Sequence, residues 1–201
     1  NSYEIILVNN GSTDSSSQIL SELEKKHSNL IVLNLEENKG YGNGIVSGLN
    51  LAKGEFMGWT HADIQTDPND CLKVKDIIRK KKNEYFIKGV RSKRNLVDNF
   101  FTFSMSIFET ILFRRFFWDI NAQPTIFSKK FFLQWENPPK DFSLDLYAYY
   151  LALKFKLKIK RIPVIFSKRI HGKSSWNNGL LSKYKFIKRT IKYSFSLLKK
   201  I

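Results

Sequence analysis

The sequence predicts an α/β protein with a mostly parallel central sheet and helices on both faces. Three observations support this class. Short apolar runs alternate with amphipathic segments of helical length over residues 3–90, which is the pattern of βαβ units. The apolar runs are nearly continuous, as in strands that are covered on both faces. Polar turns follow the strands, at the edge of an open α/β sheet where ligands usually bind.

In the first half of the chain, particular residues indicate where the predicted strands and helices begin and end. The first strand is the apolar run Tyr3–Val8, and Asp14 can cap the helix that follows. Gly54 suits the end of the second helix, and Asp67 with Pro68 suits the start of the third. The predicted strands are residues 3–8, 30–35, 55–60 and 85–90, and the predicted helices are residues 15–27, 44–53 and 68–82.

The second half of the chain is more aromatic. Residues 100–118 carry many aromatic side chains and few charges, whereas residues 153–163 alternate lysines with apolar residues, as in an edge or one-sided strand. Residues 180–198 predict a basic amphipathic helix, whose apolar stripe is Leu180, Tyr184, Ile187, Ile191, Phe195 and Leu198. This helix and the aromatic segment suggest that the protein binds peripherally to a membrane surface. Ordinary packing, with the basic face of the helix in solvent, explains them equally well.

The amino-acid composition limits the kinds of ligand and cellular compartment that fit this protein. The net charge of +16, from 34 Lys and Arg against 18 Asp and Glu, favours phosphate-bearing substrates, anionic membranes or nucleic acid without choosing among them. The single cysteine, Cys71, excludes an internal disulfide and fits a reducing compartment. No apolar run reaches the roughly 18 residues of a membrane span, since residues 100–113 are too short and include Glu109.

The most informative segment is Thr60–Pro68, which follows a short apolar strand. Its acids, Asp63 and Asp67, lie where a strand ends and a helix begins. Oxygen ligands at that place can hold a hard divalent cation, which would neutralise a diphosphate. An Asp before Pro is more often a helix cap than a metal ligand, so the segment alone leaves both roles open.

Three segments in this order resemble family 2 glycosyltransferases with a GT-A fold: Tyr3–Asp14, Asn38–Gly44 and His61–Asp63. The likeness is greatest to the branch of dolichol-phosphate mannose synthase and related polyprenyl-phosphate sugar transferases. It implies an inverting glycosyltransferase that moves a sugar from a nucleotide diphosphate sugar to a polyprenyl phosphate or a cell-surface glycan. It also implies that the family's first strand, with nucleotide contacts of its own, is missing before Asn1.

On the donor side, the resemblance places Val8 and Asn10 at the base of the nucleotide. The amide of Asn10 can donate to and accept from a base edge, although a turn-forming Asn is the simpler explanation. The family commonly has Asp at this place. The loop 40–44 could bind an anion through its backbone N–H groups, but its spacing fits a tight turn better than a phosphate loop.

The family's usual Asp-Ala-Asp-x-Gln motif corresponds to residues 61–65 here. The resemblance assigns His61, Ala62 and Asp63 to the nucleotide sugar, and Asp63 and Gln65 to a divalent cation, Mg²⁺ or Mn²⁺. His61 stands where an acid is usual. Imidazole can ligate Mn²⁺ or donate a hydrogen bond to phosphate, and the loss of one carboxylate is expected to weaken Mg²⁺ binding.

Two basic segments complete the expected phosphate contacts. Arg91 matches a Gly-x-Arg that the family often has, and with Arg94 it could clamp a phosphate bidentately; a solvated basic loop is the alternative. Residues 169–176 resemble the family's Arg-x-x-Gly-x-Ser segment, which closes over the nucleotide diphosphate. The candidates there are Arg169, His171, Lys173 and Ser174.

The acceptor side has one candidate base and one candidate contact. Asp145 matches a family acid, and a hydroxyl acceptor needs such a carboxylate to take its proton, whereas a phosphate acceptor is already ionised. An Asp stabilised by a helix dipole explains Asp145 equally well. Gln123, in Asn121–Pro124, resembles a stretch that lines the acceptor cleft in the family.

The sequence thus predicts one glycosyltransferase domain over residues 1–201, with a nucleotide-sugar half at 1–95 and an acceptor half at 96–201. We expect it in the cytoplasm, at the inner face of the cell membrane, with no nucleic-acid partner. A basic nucleic-acid-binding module is the alternative from another class, but no RNA-binding motif is present. An inactive, truncated transferase fold is the third interpretation.

Overall fold

The computed structural model describes residues 3–80, 84–93, 96–167 and 180–199. The strands in these ranges are β1 (Ile5–Asn10), β2 (Leu30–Leu35), β3 (Phe56–Trp59), β4 (Tyr85–Ser92), β5 (Thr125–Ser128) and β6 (Lys158–Ile165). The α-helices are α1 (Ser16–Lys26), α2 (Tyr41–Leu51), α3 (Lys75–Lys80), α4 (Leu96–Phe113), α5 (Lys129–Phe132), α6 (Leu144–Lys154) and α7 (Leu180–Leu198).

The strands form two sheets. β1 and β2 pair in parallel, and the larger sheet has the order β3-β5-β4-β6. The predicted α/β class is confirmed, but the pairing is mixed rather than mostly parallel. The reason is that β5 returns after α4 and inserts antiparallel between β3 and β4, while β4 pairs in parallel with β6.

The third helix and the last strand depart most from their predicted bounds. The helix expected over residues 68–82 is a 3₁₀ helix at Pro68–Val74 followed by the short α3. The strand expected over residues 153–163 begins only at Lys158, because α6 continues to Lys154 and Lys156 adopts a left-handed backbone with φ 58°. Its predicted edge position is confirmed by the strand order.

Aromatic rings fill the core between the larger sheet and α6. Phe86 on β4 stacks on both Phe127 and Tyr149, with ring centroids 5.9 Å apart in each pair. Residues 144–152 of α6 are all buried, so the first turn of this helix is shielded from solvent. This burial fixes the position of Asp145.

Helix α7 packs against α4 through a polar contact. The hydroxyl of Ser194 donates to Oε1 of the buried Glu109 over 2.6 Å. This contact turns Ser194 and Leu197 inward and leaves Tyr184, Phe195 and Leu198 exposed. The predicted basic helix is therefore present, but part of its expected apolar stripe faces outward.

Helix α4 is long and apolar enough to cross a membrane, judged by length and composition alone, and within the described ranges it is the one such helix. The expectation that no segment reaches this length was therefore wrong, because the helix begins at Leu96, before the run considered. Only 17% of the helix is buried in the protein. Its large exposed apolar residues are Leu96, Val97, Phe100, Phe103, Ile107 and Ile111.

Candidate active site

A buried polar cluster surrounds Asp145 in the first turn of α6. Its Oδ1 accepts from Lys88 Nζ over 3.2 Å and from Gln123 Nε2 over 2.9 Å, and its Oδ2 accepts from the Tyr41 hydroxyl over 3.1 Å. Lys88 Nζ also donates to Thr125 Oγ1 over 2.8 Å. The structure therefore brings together the predicted residues Asp145 and Gln123, from different elements.

Two glycines allow this cluster to assemble. A Cβ atom at Gly58 of β3 would lie 2.2 Å from the carbonyl oxygen of Thr125, and one at Gly89 of β4 would lie 2.1 Å from that of Gln123. No side chain fits at such distances, so glycine on both flanking strands lets the backbone of residues 123–125 enter between them. This close approach places Gln123 and Thr125 beside Lys88.

The cluster has strongly perturbed electrostatics. Burial lowers the pKa of Lys88 to about 8, against the opposing charge of Asp145. Burial, together with the negative charge of Asp145, raises the pKa of Tyr41 well above its usual value. Tyr41 therefore stays a neutral donor to the carboxylate. Three donors therefore surround Asp145, and their hydrogen bonds orient its two carboxylate oxygens.

His61 lies at the edge of this cluster. Its ring centroid is 5.7 Å from that of Tyr41. Burial lowers the pKa of His61, while the charges of Asp145 and Asp63 act to raise it and those of Arg91 and Lys88 to lower it. A neutral imidazole can ligate a metal or accept a proton, and one that gains a proton can donate to phosphate. His61 thus joins the buried cluster to the loop that carries Asp63.

The loop 61–65 is tied to the end of β6. Gln65 Nε2 donates to the carbonyl of Ser167 over 3.2 Å, and the Ser167 N–H donates to the carbonyl of Gln65 over 2.8 Å. Asp63 Oδ1 accepts from the Gln65 N–H over 3.2 Å, and Ala62 is exposed. Asp67 caps the following helix, accepting from the Asn69 N–H over 2.9 Å, so this acid has the capping role left open above.

The donor set fits a cation that is bound together with a nucleotide. In the described part of the chain, no three His, Cys, Asp or Glu side chains converge as a metal site. Mg²⁺ is commonly held by one or two carboxylates plus the phosphates of a substrate. Because the Gln65 amide nitrogen donates to Ser167, the amide oxygen is the atom of this side chain that could bind a cation.

Arg91 forms a buried ion pair that was not expected. Its Nε donates to Asp119 Oδ1 over 2.9 Å, its backbone N–H donates to Asp119 Oδ2 over 2.8 Å, and Nη2 also contacts this carboxylate. The guanidinium lies 5.3 Å from the ring centroid of Phe166. Arg91 also borders a cavity of about 390 Å³ whose other lining residues are Leu96, Asn99, Phe100, Thr102, Phe103, Trp118 and Asp119.

The remaining predicted residues fall elsewhere. Val8 and Asn10 lie on β1 against α2, since Gly48 sits over Val8 and Gly44 over Asn10. Asn10 Nδ2 donates to Asn38 Oδ1 over 3.2 Å and to the Gly40 carbonyl over 3.1 Å. Its Oδ1 is buried without a hydrogen-bond partner in the described structure. The other candidates lie outside the described residues, namely Arg94, Arg169, His171, Lys173 and Ser174.

Sequence reasoning missed three members of the cluster: Tyr41, Lys88 and Thr125. Lys88 had a visible signal, because it interrupts the apolar strand Phe86-Ile87-Lys88-Gly89-Val90, and a lysine in a buried strand needs a partner. Tyr41 had none, since in the sequence it stands between glycines, in a segment that predicts only a tight turn. Asp119, the partner of Arg91, also lacks a signal, because its left-handed backbone with φ 42° follows from the tertiary structure.

A family model described as glycosyl transferase family 2 matches residues 1–138. This match covers more than half of the chain. The chain belongs to glycosyl transferase family 2. The predicted membership is therefore confirmed, and the loop 61–65 and the strand β1 lie within the matched part of this family 2 protein.

Curated relatives of this family 2 chain transfer sugars to polyprenyl phosphates, by their names. A dolichyl-phosphate beta-glucosyltransferase of Dictyostelium discoideum is 33% identical over 115 residues, which are 55% of this chain and 35% of the relative. An undecaprenyl-phosphate 4-deoxy-4-formamido-L-arabinose transferase of Proteus mirabilis is 33% identical over 102 residues, 49% of this chain and 29% of the relative. The matches thus span about a third of each relative.

Solved structures confirm the GT-A fold. The mannosyltransferase PcManGT from Pyrobaculum calidifontis, in complex with GDP-Man and Mn²⁺, matches 98% of this chain and 55% of its own, with a TM-score of 0.67 and 14% identity. TarS 1–349 from S. aureus matches 82% of this chain and 51% of its own, with a TM-score of 0.52 and 17% identity. At these identities the likeness is one of fold.

Proposed function

We propose that this family 2 domain is an inverting glycosyltransferase that moves a sugar from a nucleotide diphosphate sugar to a polyprenyl phosphate. The observation that carries the acceptor assignment is the position of Arg91, a cation at the border of an apolar cavity of about 390 Å³. A phosphate group pairs well with a guanidinium, and an isoprenoid chain suits the apolar wall formed by Leu96, Phe100, Phe103 and Trp118.

The donor is proposed to lie along the loop 61–65, with its base near Val8 and Asn10. Asp63 and Gln65 are the proposed ligands of Mg²⁺ or Mn²⁺, with His61 beside them. When bound, the cation would neutralise the charge that develops on the leaving diphosphate. The proposed diphosphate contacts Arg169, Lys173 and Ser174 follow Ser167 in the sequence, and Ser167 is bonded to Gln65.

The bonding of Asp145 favours a phosphate acceptor over a hydroxyl acceptor. A hydroxyl must lose a proton as it attacks the anomeric carbon, so it needs an available carboxylate. Asp145 was the predicted base, but Lys88, Gln123 and Tyr41 already donate to it. A phosphate oxygen is ionised before it attacks and needs no such base. We therefore propose that Asp145 serves to position Tyr41 and Gln123 beside the acceptor.

The proposed membrane surface is the exposed face of α4 together with the basic part of α7. The α4 side chains Phe100, Phe103 and Ile111 are exposed, and they lie on the helix that lines the proposed acceptor cavity. Exposed lysines on α7 supply charge that attracts anionic lipid headgroups, namely Lys185, Lys188 and Lys192, and the exposed Lys199 follows the helix directly. A polyprenyl phosphate resides in a bilayer. Binding of the domain to the cytoplasmic face of the cell membrane would therefore bring the acceptor to the cavity.

Cation-dependent nucleotide binding tests the proposal directly. Calorimetric titration of UDP- and GDP-sugars, with Mn²⁺ and with a chelator, should show binding of one donor class that needs the cation and is lost in Asp63→Asn. Asp67→Asn is the matched control, because Asp67 is an exposed cap and its loss should leave binding intact. Binding that ignores the cation, or equal losses in both variants, would contradict the donor site. Salt-sensitive binding of RNA instead would support the nucleic-acid alternative.

A further inference from the structure

Phe142, in the loop before α6, packs against the ring of Tyr41. The two rings are stacked, with centroids 4.6 Å apart and planes at 16°. The other contacts of Tyr41 lie in the candidate site. Its hydroxyl donates to Asp145 over 3.1 Å and accepts from Gln123 over 3.1 Å, and its ring lies 5.7 Å from that of His61. Phe142 therefore packs directly against a side chain of the candidate site.

Helix α7 holds Phe142 in turn. The Arg189 guanidinium lies 5.4 Å from the ring centroids of both Phe142 and Phe186. Its Nε is 3.4 Å from Oδ2 of Asp141, the residue before Phe142. Phe142 and Phe186 meet edge to face, with centroids 6.1 Å apart. Arg189 thus connects α7 to the loop that carries Asp141 and Phe142.

The backbone of the same loop is fixed to α2. The N–H of Asn43 donates to the carbonyl of Lys140 over 3.0 Å, so the loop is bound on one side to the helix that carries Tyr41 and on the other to α7. A planar guanidinium stacks on aromatic rings and binds a carboxylate through a fixed fork of N–H groups, whereas an ammonium is a compact and strongly hydrated point charge. An arginine at position 189 suits its contacts with the two aromatic rings and with the carboxylate of Asp141.

We propose that Arg189 and Phe142 are positioning residues for the transfer reaction: they hold the Tyr41 ring so that its hydroxyl is aligned on Asp145 and its face on His61. This inference rests on the proposed function, since it assigns these residues to the same site. It makes α7 a part of the site, although the helix is more than 130 residues from Tyr41 in the sequence. A displacement of a site group by about 1 Å can cost on the order of 100-fold in rate.

Steady-state kinetics of four variants test the inference. Arg189→Lys keeps the charge but not the stacking, and Phe142→Leu removes the ring. Both should lower kcat about tenfold and change KM for the nucleotide sugar less than about twofold. Phe142→Tyr keeps the ring and should restore kcat. Arg79→Lys, an exposed arginine that pairs with Asp76, is the control and should match the wild type.

A spectroscopic readout separates positioning from simple stabilisation. Stacking on Phe142 shifts the ring protons of Tyr41 upfield in NMR, and Tyr41→Phe assigns these signals. In Arg189→Lys and Phe142→Leu the signals should move downfield, and in Phe142→Tyr they should return. Unchanged Tyr41 signals in Arg189→Lys, or a lower melting temperature with wild-type kcat, would overturn the proposal. If the wild type transfers no sugar, the proposed function fails, but the Tyr41 signals still decide whether Arg189 positions this ring.

Discussion

Lys88 and Asp145 form an ion pair that is almost completely shielded from water, with Nζ and Oδ1 3.2 Å apart and side-chain exposures of 0% and 3%. The pair joins the middle of β4 to the first turn of α6. Gln123 and Tyr41 bond the same carboxylate. This ion pair therefore links the central strand, the long buried helix and the residues at the edge of the candidate site.

Removing one partner of this ion pair should be far more harmful than removing both. Lys88→Met leaves a buried carboxylate without its cation, and such losses cost about 3–5 kcal/mol. The double variant Lys88→Met/Asp145→Leu removes both charges and should recover much of that loss. Urea unfolding of the two variants measures the difference. A double variant that is no more stable than Lys88→Met would contradict this electrostatic linkage.

Glu109 should make the stability of the fold depend on pH. Burial between α4 and α7 raises its pKa from 4.5 to about 7. The unfolded chain therefore ionises this group first, and between these two pKa values it binds fewer protons than the folded chain. The free energy of unfolding should consequently fall as pH rises from about 4.5 to 7.

The variant Glu109→Gln tests this pH dependence. Its amide can still accept from Ser194 but does not ionise, so the variant should become more stable than the wild type above pH 7. Glu84→Gln, at an exposed glutamate, is the matched control. Thermal unfolding at a series of pH values provides the measurement. An identical pH dependence in Glu109→Gln and the wild type would show that Glu109 does not control it.

Arg91→Lys should weaken the use of a lipid phosphate acceptor. The planar guanidinium can bind Asp119 and a phosphate at the same time, whereas an ammonium lacks this geometry. Since a hydrogen bond to a charged group contributes about 1.5–3 kcal/mol, KM for the acceptor should rise about tenfold or more. KM for the nucleotide sugar should stay unchanged. Equal rises in both KM values would point to general disruption of the site.

Substitution on the exposed face of α4 should weaken attachment to membranes. Ile111 is 71% exposed, and burial of such a side chain in a bilayer contributes about 1.5–3 kcal/mol. Ile111→Ser should therefore bind anionic vesicles about tenfold more weakly in a sedimentation assay. Leu133→Ser, at a residue that is 73% exposed but not on α4, is the control. Equal effects of the two variants would exclude α4 as the contact face.

The local parts of the fold could be predicted from the sequence, because they depend on neighbouring residues. The strand Leu30–Leu35 was predicted with its observed bounds, and Asp67 caps a helix as its place before Pro68 indicates. The direction of β5 could not be predicted. It depends on the course of the chain after α4 and on the absence of side chains at Gly58 and Gly89.

The candidate site was only partly predictable for a related reason. A motif identified His61, Asp63 and Gln65, since these residues are close in the sequence. The partners of Asp145 come from three distant segments, and only the tertiary structure brings Tyr41, Lys88 and Gln123 together. Which face of α7 is buried likewise depends on the contact between Ser194 and Glu109. The helical periodicity of the sequence does not predict this contact.

Transfer of radiolabelled sugar to two matched lipids is the most direct measurement. The protein would be incubated with Mn²⁺ and a panel of UDP- and GDP-sugars, in the presence of either undecaprenyl phosphate or undecaprenol. We expect label in the lipid phase from one donor, with the phosphate lipid alone, and its loss in Asp63→Asn. Label on undecaprenol, or transfer that is undiminished in Asp63→Asn, would contradict a cation-dependent transferase with an ionised phosphate acceptor.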